Sequence, residues 1–246
     1  MKKIIFIFFF ITPLLGVAQL WVEDFSVEAD GATSGTAGGT IGGNWSTTYA
    51  GAGTFSKESP LGVELFQVTN TDAEGIWSTS PINISGTGRA IIEATVGGVF
   101  VEAGDYIRCY YKVDGGPEIL FFEQLGTIAS FTLTGTAIVT GSSLEIVMRS
   151  TNDGAFDFFT FDDITVTAVN TLYSRKSGNW NDATVGNGTW SVVALGGVSC
   201  DCTPLTTDYI IIGNSNTVNI NVAATAGGIE IRNTGSLQWT ASTIDL

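Results

Sequence analysis

Two acidic residues far apart in the chain, Glu23 and Asp162, carry the sharpest chemistry the sequence offers. Trp21, Glu23, Phe25 and Val27 alternate in a strand-like run, so period two puts Glu23 on a face with apolar neighbours. Asp162, Ile164 and Val166 share a face by the same rule. If the apolar members point into a core, both carboxylates point inward with them. A buried carboxylate is costly unless it is protonated, paired or bound to metal. Two carboxylates plus loop carbonyls suit calcium, which takes hard oxygen ligands. The competing expectation is that both acids sit at strand ends in water. Asp24, Asp72, Glu74 and Asp163 are lesser candidate ligands. Asp72 and Glu74 lie in an Asn-Thr-Asp-Ala-Glu-Gly run that also reads as a polar turn with Asx capping.

Aromatic side chains are the second feature. Trp45, Tyr49, Trp77, Tyr110, Tyr111, Trp180, Trp190 and Trp239 could include a platform on which the C–H face of a sugar stacks. Most aromatics in β-sandwiches pack the core instead. Trp77 sits in an alternating run and reads as core. Trp45 and Tyr49 lie in Gly-rich surroundings and are the candidate ligand residues.

The chain contains no histidine. That removes Ser-His-Asp and Cys-His catalysis, the common zinc sites and imidazole general bases. Carboxylate pairs of the glycosidase kind remain open. With 24 Asp and Glu against 10 Lys and Arg, the surface repels nucleic-acid phosphates and anionic lipid headgroups and attracts divalent cations. Three cysteines do not make a disulfide scaffold. Cys109 reads as a small strand side chain. Cys200 and Cys202, two residues apart, could bridge, bind a soft metal or stay free, and a structural loop role is favoured.

These residues need elements to hold them. The 31 glycines, with abundant Thr, Ser, Val and Ile, indicate an all-β chain. Short strands are expected at 21–27, 64–69, 75–78, 90–96, 105–113, 119–124, 128–133, 144–149 and 156–167. The stretch 30–43 reads as a loop, and Asp114-Gly115-Gly116-Pro117 as a hairpin turn. Many short strands at this spacing predict a jelly-roll β-sandwich over 20–168, with its first and last strands side by side or directly across from one another. A boundary falls near 168–171. Beyond it, very short strands about ten residues apart predict the first coils of a β-solenoid over 171–246, with too few coils to bury a continuous core.

The run from Val68 to Trp77, with Ile82-Asn83-Ile84-Ser85 and Phe161-Asp162-Asp163-Ile164-Thr165-Val166, resembles MAM-like and carbohydrate-module-like jelly rolls. Such domains open large secreted surface proteins of gliding bacteria with type IX secretion. Ser177-Gly178-Asn179-Trp180, Thr189-Trp190-Ser191, Cys200-Asp201-Cys202-Thr203-Pro204 and Asp208-Tyr209-Ile210-Ile211-Ile212 resemble the solenoid start that follows in those proteins, and G8-type domains. The resemblance implies a structural calcium held by acids on the first and last strands, which are Glu23 and Asp162 here. Members of that group usually end in a sorting domain, and no such domain is expected within residues 1–246.

The opening residues read as an export signal over 1–18: Lys2 and Lys3, an apolar run from Ile4 to Leu15, then Gly16-Val17-Ala18. The apolar run is too short to span a membrane. The chain stops at Leu246 inside a strand-like pattern and is expected to be the front of something longer. The expectation is a secreted or surface-bound, non-catalytic binding or adhesion module. It would be stabilised by calcium and partnered by an extracellular glycan or surface protein. A fragment of a polysaccharide-active enzyme and a plain structural stalk are the alternatives.

Overall fold

The computed structural model describes residues 19–126, 128–206 and 208–240. The expected export signal and the last residues of the chain lie outside them.

Strands account for nearly all the regular structure. In chain order they begin with β1 (Gln19–Glu23), β2 (Ser34–Ala37), β3 (Gly43–Thr48), β4 (Thr54–Glu58), β5 (Leu65–Thr69), β6 (Gly75–Thr79) and β7 (Ile82–Asn83). They continue with β8 (Arg89–Val101), β9 (Tyr106–Val113), β10 (Ile119–Leu125), β11 (Ile128–Thr140), β12 (Ser143–Thr151) and β13 (Phe158–Ala168). A 6-stranded sheet runs β11-β8-β13-β5-β4, with β1 also on β13. A 7-stranded sheet runs β10-β9-β12-β6-β3-β2, with β7 also on β12. Every pairing in both sheets is antiparallel. The two sheets face one another as a β-sandwich of jelly-roll type.

Alternation explains the core. On the 7-stranded sheet Trp45, Trp77, Ile107, Cys109, Ile146 and Met148 point inward. On the other sheet Phe66, Val96, Phe159, Phe161, Ile164 and Val166 meet them. The rings interlock at the centre: Phe66 stacks on Phe161 at 4.7 Å between centroids, and Trp77 meets Phe161 edge-on at 5.6 Å. Burial of this apolar surface is the main driving force for the sandwich.

The hairpin read from Asp114 to Pro117 joins β9 to β10. Asp114 and Gly115 both take positive φ there, and the Gly116 N–H donates to the Val113 carbonyl. The first and last sandwich strands pair directly, with Glu23 opposite Ile164. Two expectations need correcting. The segment 30–43 is not all loop, because β2 lies within it and pairs with β3. The strand expected at 21–27 ends at Glu23, because Phe25 takes a positive φ that breaks the extended run.

Beyond Ala168 the pairing changes character. The strands are β14 (Thr171–Ser174), β15 (Gly178–Asn179), β16 (Trp190–Ser191), β17 (Tyr209–Ile212), β18 (Thr217–Ile220), β19 (Gly228–Ile231) and β20 (Ser236–Trp239). One sheet runs β16-β14-β17-β19 and the other β15-β18-β20. Apart from β14 with β16, all these pairs are parallel. A second apolar cluster built on Leu172, Trp180, Trp190, Ile210, Ile212 and Val218 fills the space between them. Trp190 donates its indole N–H to the Trp180 carbonyl at 2.7 Å. Cys200 and Cys202 are joined as a disulfide in this unit, and both border its core. Cys109 is a buried free thiol whose pKa burial pushes up.

Candidate functional site

Glu23 behaves as its neighbours predict. It is 2% exposed, it faces inward, and its Oε1 accepts the Phe25 N–H at 2.7 Å. Its other oxygen has no hydrogen-bond partner. Burial first, then the nearby Glu28 and Asp24 charges, push its pKa up to about 7, against the pull of the Phe25 N–H and the Trp45 indole. The Trp45 indole lies beside the carboxyl but outside hydrogen-bond geometry.

Asp162 does not join it, which corrects the inward phase expected from Ile164 and Val166. The ladder between β13 and β8 slips between Asp162 and Thr165, and Asp163 has φ +48°. This β-bulge puts an extra residue into β13. Phe161 and Ile164 therefore both face the core, while Asp162 is half-buried on the opposite face. Burial there raises its pKa to about 7, followed by the charges of Asp163, Asp24 and Glu64. Asp24 acts on both carboxyls, but the other groups around Asp162 are not those around Glu23, and the two carboxyls face opposite sides of the sheet.

The lesser candidates scatter. Asp24 is exposed and accepts the Ser26 N–H. Asp163 is exposed on the bulge, and its N–H donates to its neighbour Asp162. Asp72 is exposed in a positive-φ turn whose N–H donates to the Asn152 carbonyl. Glu74 belongs to a different surface, described below.

Trp45 and Tyr49 are placed by packing. Trp45 is 2% exposed because it falls on the inward phase of β3, where its ring meets Phe25 at 5.5 Å. Only its edge reaches a shallow groove shared with Ser34, Asn44, Ser46 and Ser80. Tyr49 is half-buried against Phe55 and donates its hydroxyl to the Thr71 carbonyl at 2.9 Å. Gly-rich flanks suggested an open loop. The pairing of β3 with β6 instead draws Trp45 inside, so it cannot present a ring face to a sugar.

A different surface gathers groups that can bind. Along β9, Tyr106, Arg108, Tyr110 and Lys112 share the outward phase. Register sets Arg149 of β12 opposite Arg108, and Glu145 opposite Lys112. Glu123 of β10 is also opposite Arg108. Each cation is held by acids. Arg108 bonds Glu123 at 2.7 Å, Lys112 bonds Glu145 at 2.7 Å, and Arg149 bonds Glu74 at 2.6 Å and Glu118 at 2.9 Å. Arg108 also lies over the Tyr106 ring, 4.2 Å from its centroid. The Tyr106 hydroxyl donates to Glu74, and burial first, then this bond, push its pKa up to about 12. The hydrogen bond from Arg149 holds the Glu118 carboxyl below the ordinary range. Three of the chain's 10 basic residues thus lie on one face of an otherwise acidic protein. Tyr110 and Glu74 were visible in the sequence. The sequence signal for Tyr106 and Arg108 is the alternation 106, 108, 110, 112, whereas Arg149 joins them only through the register of β12 with β9.

The fold is similar to that of the K3 cleaved adhesin domain of Lys-gingipain from Porphyromonas gingivalis w83, at 13% identity and a TM-score of 0.43. The likeness covers 62% of this chain and 99% of that one. The K2 cleaved adhesin domain of Lys-gingipain is similar over 59% of this chain and 96% of its own, at 14% identity and a TM-score of 0.37. TmCBM61, solved in complex with beta-1,4-galactotriose, is similar over 50% of this chain and 86% of its own, at 14% identity and a TM-score of 0.35. No protein-family model and no curated protein matches the chain. At these identities and scores, ligand and activity have to be read from this chain's own residues.

Proposed function

We propose that the chain is a non-catalytic, extracellular binding module that recognises glycans through the outer face of the 7-stranded sheet. The observation that carries this reading is the Tyr106–Arg108–Tyr110 row flanked by Arg149 and its carboxylates. A sugar offers hydroxyls that both donate and accept, and a C–H face that packs on aromatic rings. Guanidinium and carboxylate groups fixed by one another, beside the Tyr110 ring, offer the complement of both. Tyr106, Arg108, Lys112 and Arg149 are already held by their partners, so little of their ordering entropy is lost on binding. The same pairing disfavours a purely apolar protein partner, since the charged groups would lose water without gaining partners.

Export fits the Lys2–Ala18 pattern, and no helix among the described residues is long and apolar enough to cross a membrane. The segment from Thr171 reads as the opening coils of a β-solenoid. Its support is the way β17 to β20 alternate between two sheets and stack in parallel on the strands before them. It would act as the spacer that carries the sandwich.

A glycan array probed with the purified chain tests the proposal, alongside an assay for reducing ends released from each bound polysaccharide. Selective binding without release is expected. No binding to any glycan, or turnover of one, would refute it.

A further inference from the structure

Asp105, Asp153 and Asp157 meet at one end of the sandwich, away from Glu23 and Asp162. One oxygen from each carboxylate lies within 4.8 Å of the other two. The register of the 7-stranded sheet creates this meeting. Thr151 pairs with Tyr106, so the turn before β9, which carries Asp105, adjoins the loop after β12, which carries Asp153 and Asp157. Asn152 anchors that loop from inside, donating its side-chain N–H groups to the Val68 and Asp157 carbonyls at 3.1 and 2.9 Å. Asp105 holds its own turn by accepting the Glu102 N–H at 2.8 Å.

The decisive feature is Asp157. It is 2% exposed, and neither carboxylate oxygen has a hydrogen-bond partner. Gly154 passes so close that a Cβ there would sit 2.2 Å from Asp157 Oδ1, so the loop backbone wraps directly against this carboxylate. A buried carboxylate without donors, facing a second buried carboxylate at Asp105, is a strongly unfavourable arrangement in isolation. Every other buried acid in the sandwich accepts at least one hydrogen bond within the chain. Glu23 takes the Phe25 N–H and Asp105 the Glu102 N–H. A proton, a buried water or a cation can relieve Asp157, and the second buried carboxylate at Asp105 favours the cation.

We infer that Asp105, Asp153 and Asp157 form a calcium site that clamps the turn before β9 to the loop between β12 and β13. The donors are all hard oxygens, which disfavours zinc and copper. Asp153 is exposed, so one side of the site is open to water molecules that complete the shell. Calcium accepts such an irregular set of oxygen ligands, whereas magnesium demands a near-octahedral one. This site does not depend on the glycan reading.

The test is thermal unfolding of the full chain in EDTA and then in saturating calcium or magnesium. It is run on the wild type, Asp153→Asn and Asp157→Asn, with terbium luminescence as a direct binding readout. Calcium at a hundredfold excess over its Kd should raise the wild-type Tm by about 5 °C or more. Magnesium should do less, and both variants should lose the calcium shift and the terbium signal. Asp153 is exposed, so its variant keeps the test valid even if Asp157→Asn fails to fold. No calcium shift in the wild type overturns the inference, as does a shift retained in Asp153→Asn. A wild type indifferent to calcium, with Asp157→Asn more stable in EDTA, would identify a proton shared by Asp105 and Asp157 instead, and would also overturn it.

Discussion

Arg89, at the start of β8, and Asp208, just before β17, form an ion pair of 2.8 Å in which both side chains are wholly buried. Arg89 also donates to the Thr203 carbonyl at 2.7 Å, and Asp208 accepts the Leu205 N–H at 2.7 Å. The pair ties the sandwich to the parallel-stranded unit behind it. A buried pair contributes little over a well-packed apolar one, but breaking it strands a charge. Arg89→Met alone should therefore cost about 3–5 kcal/mol. Arg89→Met with Asp208→Leu should recover most of that loss. Urea unfolding of the four proteins checks this, and equal losses in the single and double variants would disprove the coupling.

Trp45 is a core residue, so its replacement should act on stability first. Trp45→Ala removes a buried ring in contact with Phe25, Phe66 and Trp77 and should cost about 3–5 kcal/mol. Denaturant unfolding measures it. A variant as stable as the wild type would mean that the ring is not packed as described.

Stability should fall as the solution is made more alkaline. Glu23 has an ordinary pKa of 4.5 but titrates near 7 in the folded chain, where burial disfavours its charge. Between those values the folded state holds more protons than the unfolded one. Its contribution is complete below pH 4.5 and is lost as pH rises through 7. Asp162, moved from 3.8 to about 7, works in the same direction, as does Asp105 in the absence of cations, moved to about 6. The Glu23 share is on the order of 2 kcal/mol once screening is discounted. Glu23→Gln should flatten the fall between pH 5 and 8 and raise the Tm at pH 8. A wild-type Tm that rises steadily over that range would contradict the burial of these groups.

Much of the fold was legible because alternation and turn residues are local. The β9–β10 hairpin, the strand at 236–239 and the inward phase of Trp77 all follow from neighbours in sequence. The Asp162 phase was not legible, because a bulge at Asp163 is set by the pairing of β13 with β8 rather than by its own sequence. Trp45 misled for a related reason: glycine flanks describe backbone freedom, and burial depends on which strand pairs beside it. The alternation over 156–167 reads Asp157 as part of a strand, whereas β13 starts at Phe158 and Asp157 belongs to the loop before it. Its meeting with Asp105 required the register of Thr151 with Tyr106, which no local pattern encodes.

The glycan-binding face is tested most directly by comparing wild type with a Tyr106→Ala, Tyr110→Ala variant on the same glycan array, with the Tm of each recorded in parallel. Tyr106 bonds Glu74 and lies under Arg108, so the variant should melt below the wild type, and binding is compared at a temperature where both are folded. The variant's binding should fall at least tenfold on every glycan the wild type recognises. Undiminished binding by a folded variant would contradict the assignment of this face.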